Sequence, residues 1–298
     1  MTASTTILGQ CRDLMATLLL PPDFESIVQT IYIPLAQMIL DSKHDGPLMV
    51  SINGAQGTGK STMTAFLKVI IESELACRVT GLSLDDFYHT RAARERLASE
   101  VHPLLITRGV PGTHDVDLLE SVLENLMNRR ACAVPRFNKA IDDRLGESDW
   151  AHEEAGVEVI LFEGWCNHSP IQTEDELRQP INQLEELEDT EGVWRHYVNE
   201  QLQVYHRRFF DQADLCIMLQ VPDFDSIYTW RSLQEQKLRD SSPTDQQQGV
   251  LDEVALKRFI EHFERISRHT LLHLPKLANV VLPVNPDHSI REIIRRHD

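Results

Sequence analysis

GAQGTGKST, residues 54–62, is the stretch whose reading decides the fold. The run before it, LMVSIN, is short, apolar and partly β-branched, and reads as a buried strand. The run after it, MTAFLKVIIES, carries apolar residues at helical intervals. The glycines therefore fall in a strand-to-helix turn, the context a phosphate-binding loop requires. The pattern G-x-x-x-x-G-K-[ST] is met by Gly54, Gly59, Lys60 and Ser61. Glycines let successive backbone N–H groups, here across Ala55, Gln56, Gly57 and Thr58, turn inward around phosphate oxygens. The positive end of the following helix adds to the attraction. Lys60 is a compact charge for β- and γ-phosphates, and the Ser61 hydroxyl can ligate Mg²⁺. A nucleotide site is expected here.

The 298 residues suffice for one large α/β domain or two small ones, and a hydrophobic share of 42% supplies a substantial core. A formal net charge of -17 argues against nucleic acid and anionic membranes as partners. The cysteines Cys11, Cys77, Cys132, Cys166 and Cys216 are scattered, odd in number and form no C-x-x-C pair. Neither zinc–thiolate nor disulfide frameworks are expected, and reduced thiols in a cytosol are. The chain shows no secretory signal pattern and no apolar run of membrane-spanning length, so a cytoplasmic protein is expected.

Residues 1–46 read as a helical extension, with Pro34 as a kink or break. VTGLSL is the second expected strand, and Asp85 and Asp86 follow at its C-terminal end, where open parallel sheets bind ligands. A helix is predicted from near Asp115 or Asp117, and 134–144 is a polar, basic surface excursion. VEVILFEG is a nearly continuous apolar strand ending in Glu163, an acid placed to orient Mg²⁺. Residues 167–192 read as an acidic, irregular insertion. A helix over 194–212, a strand at 213–221, a helix at 225–240, a flexible tip at 241–249, a long amphipathic helix, the strand ANVVLPV and a closing helix SIREIIRRHD complete the order. Strands alternating with helices predict a parallel sheet covered on both faces.

Phosphate loops serve GTPases, transport ATPases and small-molecule kinases. The Asn138-Lys139 pair precedes the third strand and has Ile141 where a guanine reader needs Asp, and the S-G-G-Q-like transporter signature is absent. A kinase of hydroxylated small molecules needs a carboxylate beside the γ-phosphate, and Asp85 is placed for it. It also needs a lid carrying cations, for which Arg231, Lys237 and Arg239 beside the 241–249 tip are candidates.

GAQGTGKST, LSLDDFY, RGVPGTHD, PRFNKAIDDR, LFEGW and WRSLQEQK, in this order, resemble D-glycerate 3-kinase and the bacterial and fungal kinases grouped with it, over about residues 30–285. A more distant resemblance is to uridine kinase and phosphoribulokinase. The resemblance implies one P-loop kinase domain over 1–298, three-layered α/β/α, with a parallel sheet of five strands or slightly more in the order 2-3-1-4-5. Residues 225–250 would form the lid. It implies Asp85 as the catalytic base and Lys60, Ser61 and Thr62 in the nucleotide loop. Glu163 would sit near Mg²⁺, and His114 and Asp115 where relatives contact the acceptor. Arg108 and Arg136 are candidates for an acceptor carboxylate, because Arg offers a bidentate fork. Asp86 and Tyr88 complete the expected acceptor side.

The leading expectation is transfer of the ATP γ-phosphoryl group, with Mg²⁺, to a small hydroxy acid, D-glycerate first. A kinase of nucleosides or sugars, using Tyr88, Phe137 and Trp165 for stacking, is the second reading. A nucleotide-binding regulator is the third. Small molecules are the expected partners, and self-association is compatible with the sequence.

Overall fold

The computed structural model describes residues 5–241 and 253–296, without the side chains of Thr5, Leu75 and residues 234–241. Six strands form its main sheet: β1 (Leu48–Gly54), β2 (Arg78–Ser83), β3 (Val157–Gly164), β4 (Leu215–Gln220), β5 (Val280–Pro283) and β6 (Ile294–Arg295). The spatial order is β2-β3-β1-β4-β5-β6. The first five are parallel, in the order the sequence predicts, and β6 pairs antiparallel with β5. That last strand corrects the sequence reading, which makes 289–298 a helix. The apolar spacing of SIREII fits a helix, but Ile294 and Arg295 instead satisfy the open backbone edge beside Val281 and Val280.

The seven longer helices are α1 (Thr5–Thr17), α2 (Lys60–Leu75), α3 (Arg91–Glu100), α4 (Val116–Met127), α5 (Val193–Arg208), α6 (Phe224–Ser241) and α7 (Glu253–His273). Alternation along the strands explains the layering. Val50, Ile52, Val159 and Leu161 face a core with Ile7, Phe66 and Ile70 of α1 and α2. Met49, Ile160 and Phe162 face the opposite core with Leu119, Leu123, Trp194 and Phe263 of α4, α5 and α7. Both faces are covered, which is why the strands read as unbroken apolar runs.

The expected break at Pro34 takes a particular form. Residues Val28–Tyr32 are π-helical, and the Ile33 N–H bonds back to the Val28 carbonyl just before the proline. The wider turn accommodates a residue without an N–H. Two other expectations are corrected in detail. The 134–144 excursion is a hairpin, Phe137–Asn138 pairing with Asp143–Arg144, and Cys132–Val134 pairs with Ala151–Glu153. The 167–192 insertion is not irregular throughout: it contains helices Glu174–Leu177 and Gln183–Glu188. It is tied to α7 by the buried Arg265–Glu185 pair, at 2.5 Å. The five cysteines are free thiols. The expected flexible tip lies outside the described residues apart from Ser241.

Candidate active site

Register brings the chemistry to one edge. Ser83 of β2 stands beside Glu163 of β3, which stands beside Ile52 of β1, so all three strands end together. Gly54 closes β1, and the loop turns into α2 through Gly57 (φ 81°) and Gly59 (φ 91°), a backbone that side-chain-bearing residues rarely adopt. Gly54 is required for a different reason. A Cβ there would lie 2.8 Å from Thr58 Oγ1 and 3.1 Å from Lys60 Cγ. Thr58 Oγ1 and Lys60 Nζ both donate to the Ala55 carbonyl, at 2.8 and 3.1 Å, bracing the loop around the space a phosphate would take. Burial lowers the Lys60 pKa, opposed by the charges of Glu163 and Asp85.

Beside the loop is a cleft of about 280 Å³. Gln56, Gly57, Lys60 and Ser61 line its loop side, and Asp85, Tyr88, Arg108 and Lys139 line the other. Ser61 Oγ donates to Glu163 Oε1 at 2.5 Å. Two hard oxygen donors from different elements thus converge at the mouth of the loop, the donor chemistry that suits Mg²⁺. These residues fit the ion, and Ser61 and Glu163 are the side chains that would hold it.

Asp85 occupies the short 3₁₀ turn Leu84–Phe87 that ends β2. One carboxylate oxygen accepts from the Tyr88 hydroxyl and the other from Lys139 Nζ, each at 2.6 Å. Burial alone would raise its pKa. The Lys139 charge and hydrogen bond, with help from Tyr88 and Lys60, reverse that and hold it at about 2. Asp85 is therefore a carboxylate throughout the physiological range. Lys139 was not anticipated as a site residue. Its only signal was its place in the basic excursion, whose hairpin carries it over the end of β2.

The other predicted acceptor residues divide. Arg108 lines the cleft, paired with Asp142 and lying 5.3 Å from the Phe137 ring centre. Asp86 faces away, accepting from Arg136 Nη1 at 2.7 Å and the Phe137 N–H at 3.2 Å, which anchors the hairpin. Arg136 is that anchor's other half. Asp115 caps α4 through the Leu118 N–H and pairs with Arg144 at 2.8 Å. His114 is buried behind Tyr88, stacked on its ring at 4.6 Å. The His114 Nδ1 lies 2.8 Å from the Tyr205 hydroxyl, which also accepts from the Gly112 N–H. Burial pushes the His114 pKa down to about 3. Asp86, His114, Asp115 and Arg136 thus support the wall that Asp85 and Tyr88 present, and do not line the cleft themselves. Thr62 is the third residue of α2, also outside the lining.

Helices α6 and α7 close the far side. Arg231 lines the cleft above the Phe259 ring, at 5.7 Å, and Trp230 packs by Gly57. The side chains of Lys237 and Arg239 lie outside the described residues. Phe259 and Phe263 also line the cleft, a role their amphipathic helix did not signal. Trp165 lines it too, its Nε1 donating to the Gly109 carbonyl at 2.8 Å and its ring edge-on to Phe263.

This combination, a phosphate loop at the end of β1 in a 2-3-1-4-5 sheet with acids at the ends of β2 and β3, defines a P-loop kinase. Known proteins agree. A solved D-glycerate 3-kinase from Cryptococcus neoformans shares the fold with a TM-score of 0.70, at 23% identity, covering 89% of this chain and 97% of that one. No protein-family model matches the chain. It is 30% identical over 217 residues to the chloroplastic D-glycerate 3-kinase of Arabidopsis thaliana, a match covering 70% of this chain and 44% of the plant protein. It is 29% identical over 231 residues to an uncharacterized kinase of Schizosaccharomyces pombe, covering 73% of this chain and 78% of that protein. Within the P-loop kinases, then, this chain is similar in sequence to a kinase named for D-glycerate, of which it spans less than half the length, and to an uncharacterized fungal kinase. Among the described residues no helix is long and apolar enough to cross a membrane.

Proposed function

We propose that the chain transfers the γ-phosphoryl group of ATP to a hydroxyl of a small hydroxy acid, with D-glycerate the first candidate. The observation that carries this reading is Asp85, fixed by Tyr88 and Lys139 in the same cleft as Lys60 and Ser61. The loop amides and Lys60 hold the β- and γ-phosphates. Ser61 and Glu163 would hold Mg²⁺, and when bound that ion would supply positive charge against the phosphate oxygens. Asp85 accepts a hydrogen bond from the acceptor hydroxyl, aims its oxygen at the γ-phosphorus and takes its proton as the new O–P bond forms and the bond from the γ-phosphorus to the bridging oxygen breaks, releasing ADP. A low pKa suits a loose transition state, in which the hydroxyl keeps its proton until late.

Arg108 and Lys139 put positive charge on the acceptor side, which favours an acidic acceptor over a neutral nucleoside. Of the three aromatic residues considered for stacking, Tyr88 stacks on His114 and Trp165 is nearly buried against Phe263, while the part-buried Phe137 ring has the Arg108 guanidinium 5.3 Å from its centre. Similarity to proteins named for D-glycerate points the same way. ADP release by purified protein, measured with ATP, Mg²⁺ and a panel of hydroxy acids, sugars and nucleosides, tests the reading. Turnover stimulated by D-glycerate and by no nucleoside is expected. A nucleoside alone stimulating it transfers the assignment to that class, and stimulation by no acceptor removes it.

A further inference from the structure

Away from the cleft, one trio of side chains among the described residues brings three metal-ligating atoms together. Glu176, His269 and His273 each offer one such atom, all within 4.8 Å of one another. The histidines stand four residues apart in the last turns of α7, on one face, with ring centres 4.3 Å apart. Glu176 comes from the insertion helix Glu174–Leu177 that packs against them.

We propose that this trio is a binding site for a divalent transition-metal ion of the zinc type. Four observations support it. First, the free atoms face one another: Glu176 Oε2 is occupied by the Thr173 N–H and hydroxyl, while Oε1 is directed at His269 Nδ1, 3.7 Å away. That separation is too long for a hydrogen bond and leaves room for an ion between them. Second, the two imidazoles are part-buried and tilted by 42° to each other, which holds both rings beside the Glu176 carboxylate. Third, the site lies at the C-terminus of α7, where the helix dipole attracts a cation. Fourth, the scaffold is braced: Arg265 bonds the Glu176 and Gln179 carbonyls and Glu185, and Thr270 bonds Ser169.

Two imidazoles and one carboxylate suit Zn²⁺ or Co²⁺, whereas Mg²⁺ prefers oxygen. Tetrahedral bonds of about 2.1 Å put ligand atoms about 3.4 Å apart, a closure that rotation of the half-exposed Glu176 side chain can supply. An ion here would pin the insertion, which follows Trp165 in the chain, to the helix that carries Phe259 and Phe263.

The test uses full-length protein stripped by chelator and titrated with Co²⁺ in excess Mg²⁺, which keeps the phosphate-loop site occupied. Saturation at a single equivalent is expected, with the visible absorption of a low-coordinate Co²⁺ complex that Zn²⁺ abolishes. Glu176→Gln keeps the helix cap, since Gln also serves at that position, and removes the charged ligand. His273→Gln removes one imidazole at a part-exposed position. Each is expected to weaken Co²⁺ binding at least about ten-fold while circular dichroism stays unchanged. No saturable binding by the wild type, or wild-type affinity retained by both His273→Gln and Glu176→Gln, overturns the site.

Discussion

At the residue scale the informative group is Lys139, which shares Asp85 with Tyr88. Its charge and hydrogen bond hold the Asp85 pKa at about 2, below the ordinary value of 3.8. Lys139→Met removes that stabilisation of the carboxylate, so the Asp85 pKa rises. The acid limb of the kcat/KM profile is then predicted to move to higher pH, and a limb that stays put contradicts the pairing. The same substitution is expected to raise KM for an acidic acceptor about ten-fold or more, as loss of one charge-assisted contact of about 1.5–3 kcal/mol implies. Asp85, Lys60 and Ser61 were legible in the sequence because strand ends and a loop motif locate them without tertiary information. Lys139 was not, since its position depends on a hairpin whose register no local pattern specified. His114 and Asp115 illustrate the reverse: their neighbourhood was legible, but that one is buried behind Tyr88 and the other caps a helix is decided by packing.

At the scale of elements, the loop and α7 depend on glycines that meet side chains. Gly54→Ala places a methyl against Thr58 Oγ1 and Lys60 Cγ, so the cradle must open. Nucleotide affinity, measured by fluorescence of a labelled ATP analogue, is expected to fall at least about ten-fold, the equivalent of 1.4 kcal/mol. Unchanged affinity contradicts the cradle. Gly109 has φ 133°, and a Cβ there would lie 2.4 Å from Phe263. Gly109→Ala is therefore expected to displace α7 and cost roughly 1–3 kcal/mol of stability by urea unfolding. The strands were legible because each is a short apolar run between turn signals, and β3 matches its expected bounds at Val157–Gly164. β6 was not, because its apolar spacing suits a helix and the bare edge of β5 exists only once the sheet has formed.

For the whole molecule, acid sensitivity follows from two buried neutral imidazoles. Burial lowers the pKa of His114 to about 3 and that of His262 to about 4, from 6.5. Below pH 6.5 the unfolded chain binds protons that the folded chain refuses, so stability falls as pH drops toward 4. The urea midpoint is predicted to be lower at pH 5.0 than at pH 7.5, and equal midpoints contradict it. The three-layer architecture itself was legible from alternation and strand order. What organises it chemically is the meeting of the Asp85 carboxylate with the phosphate loop, and one comparison tests that most directly: acceptor-dependent ADP release by wild type and by Asp85→Asn at saturating ATP. The account predicts a kcat lower by about 10²–10⁴-fold in the variant, with ATP affinity retained. A variant that keeps wild-type acceptor-dependent turnover contradicts it.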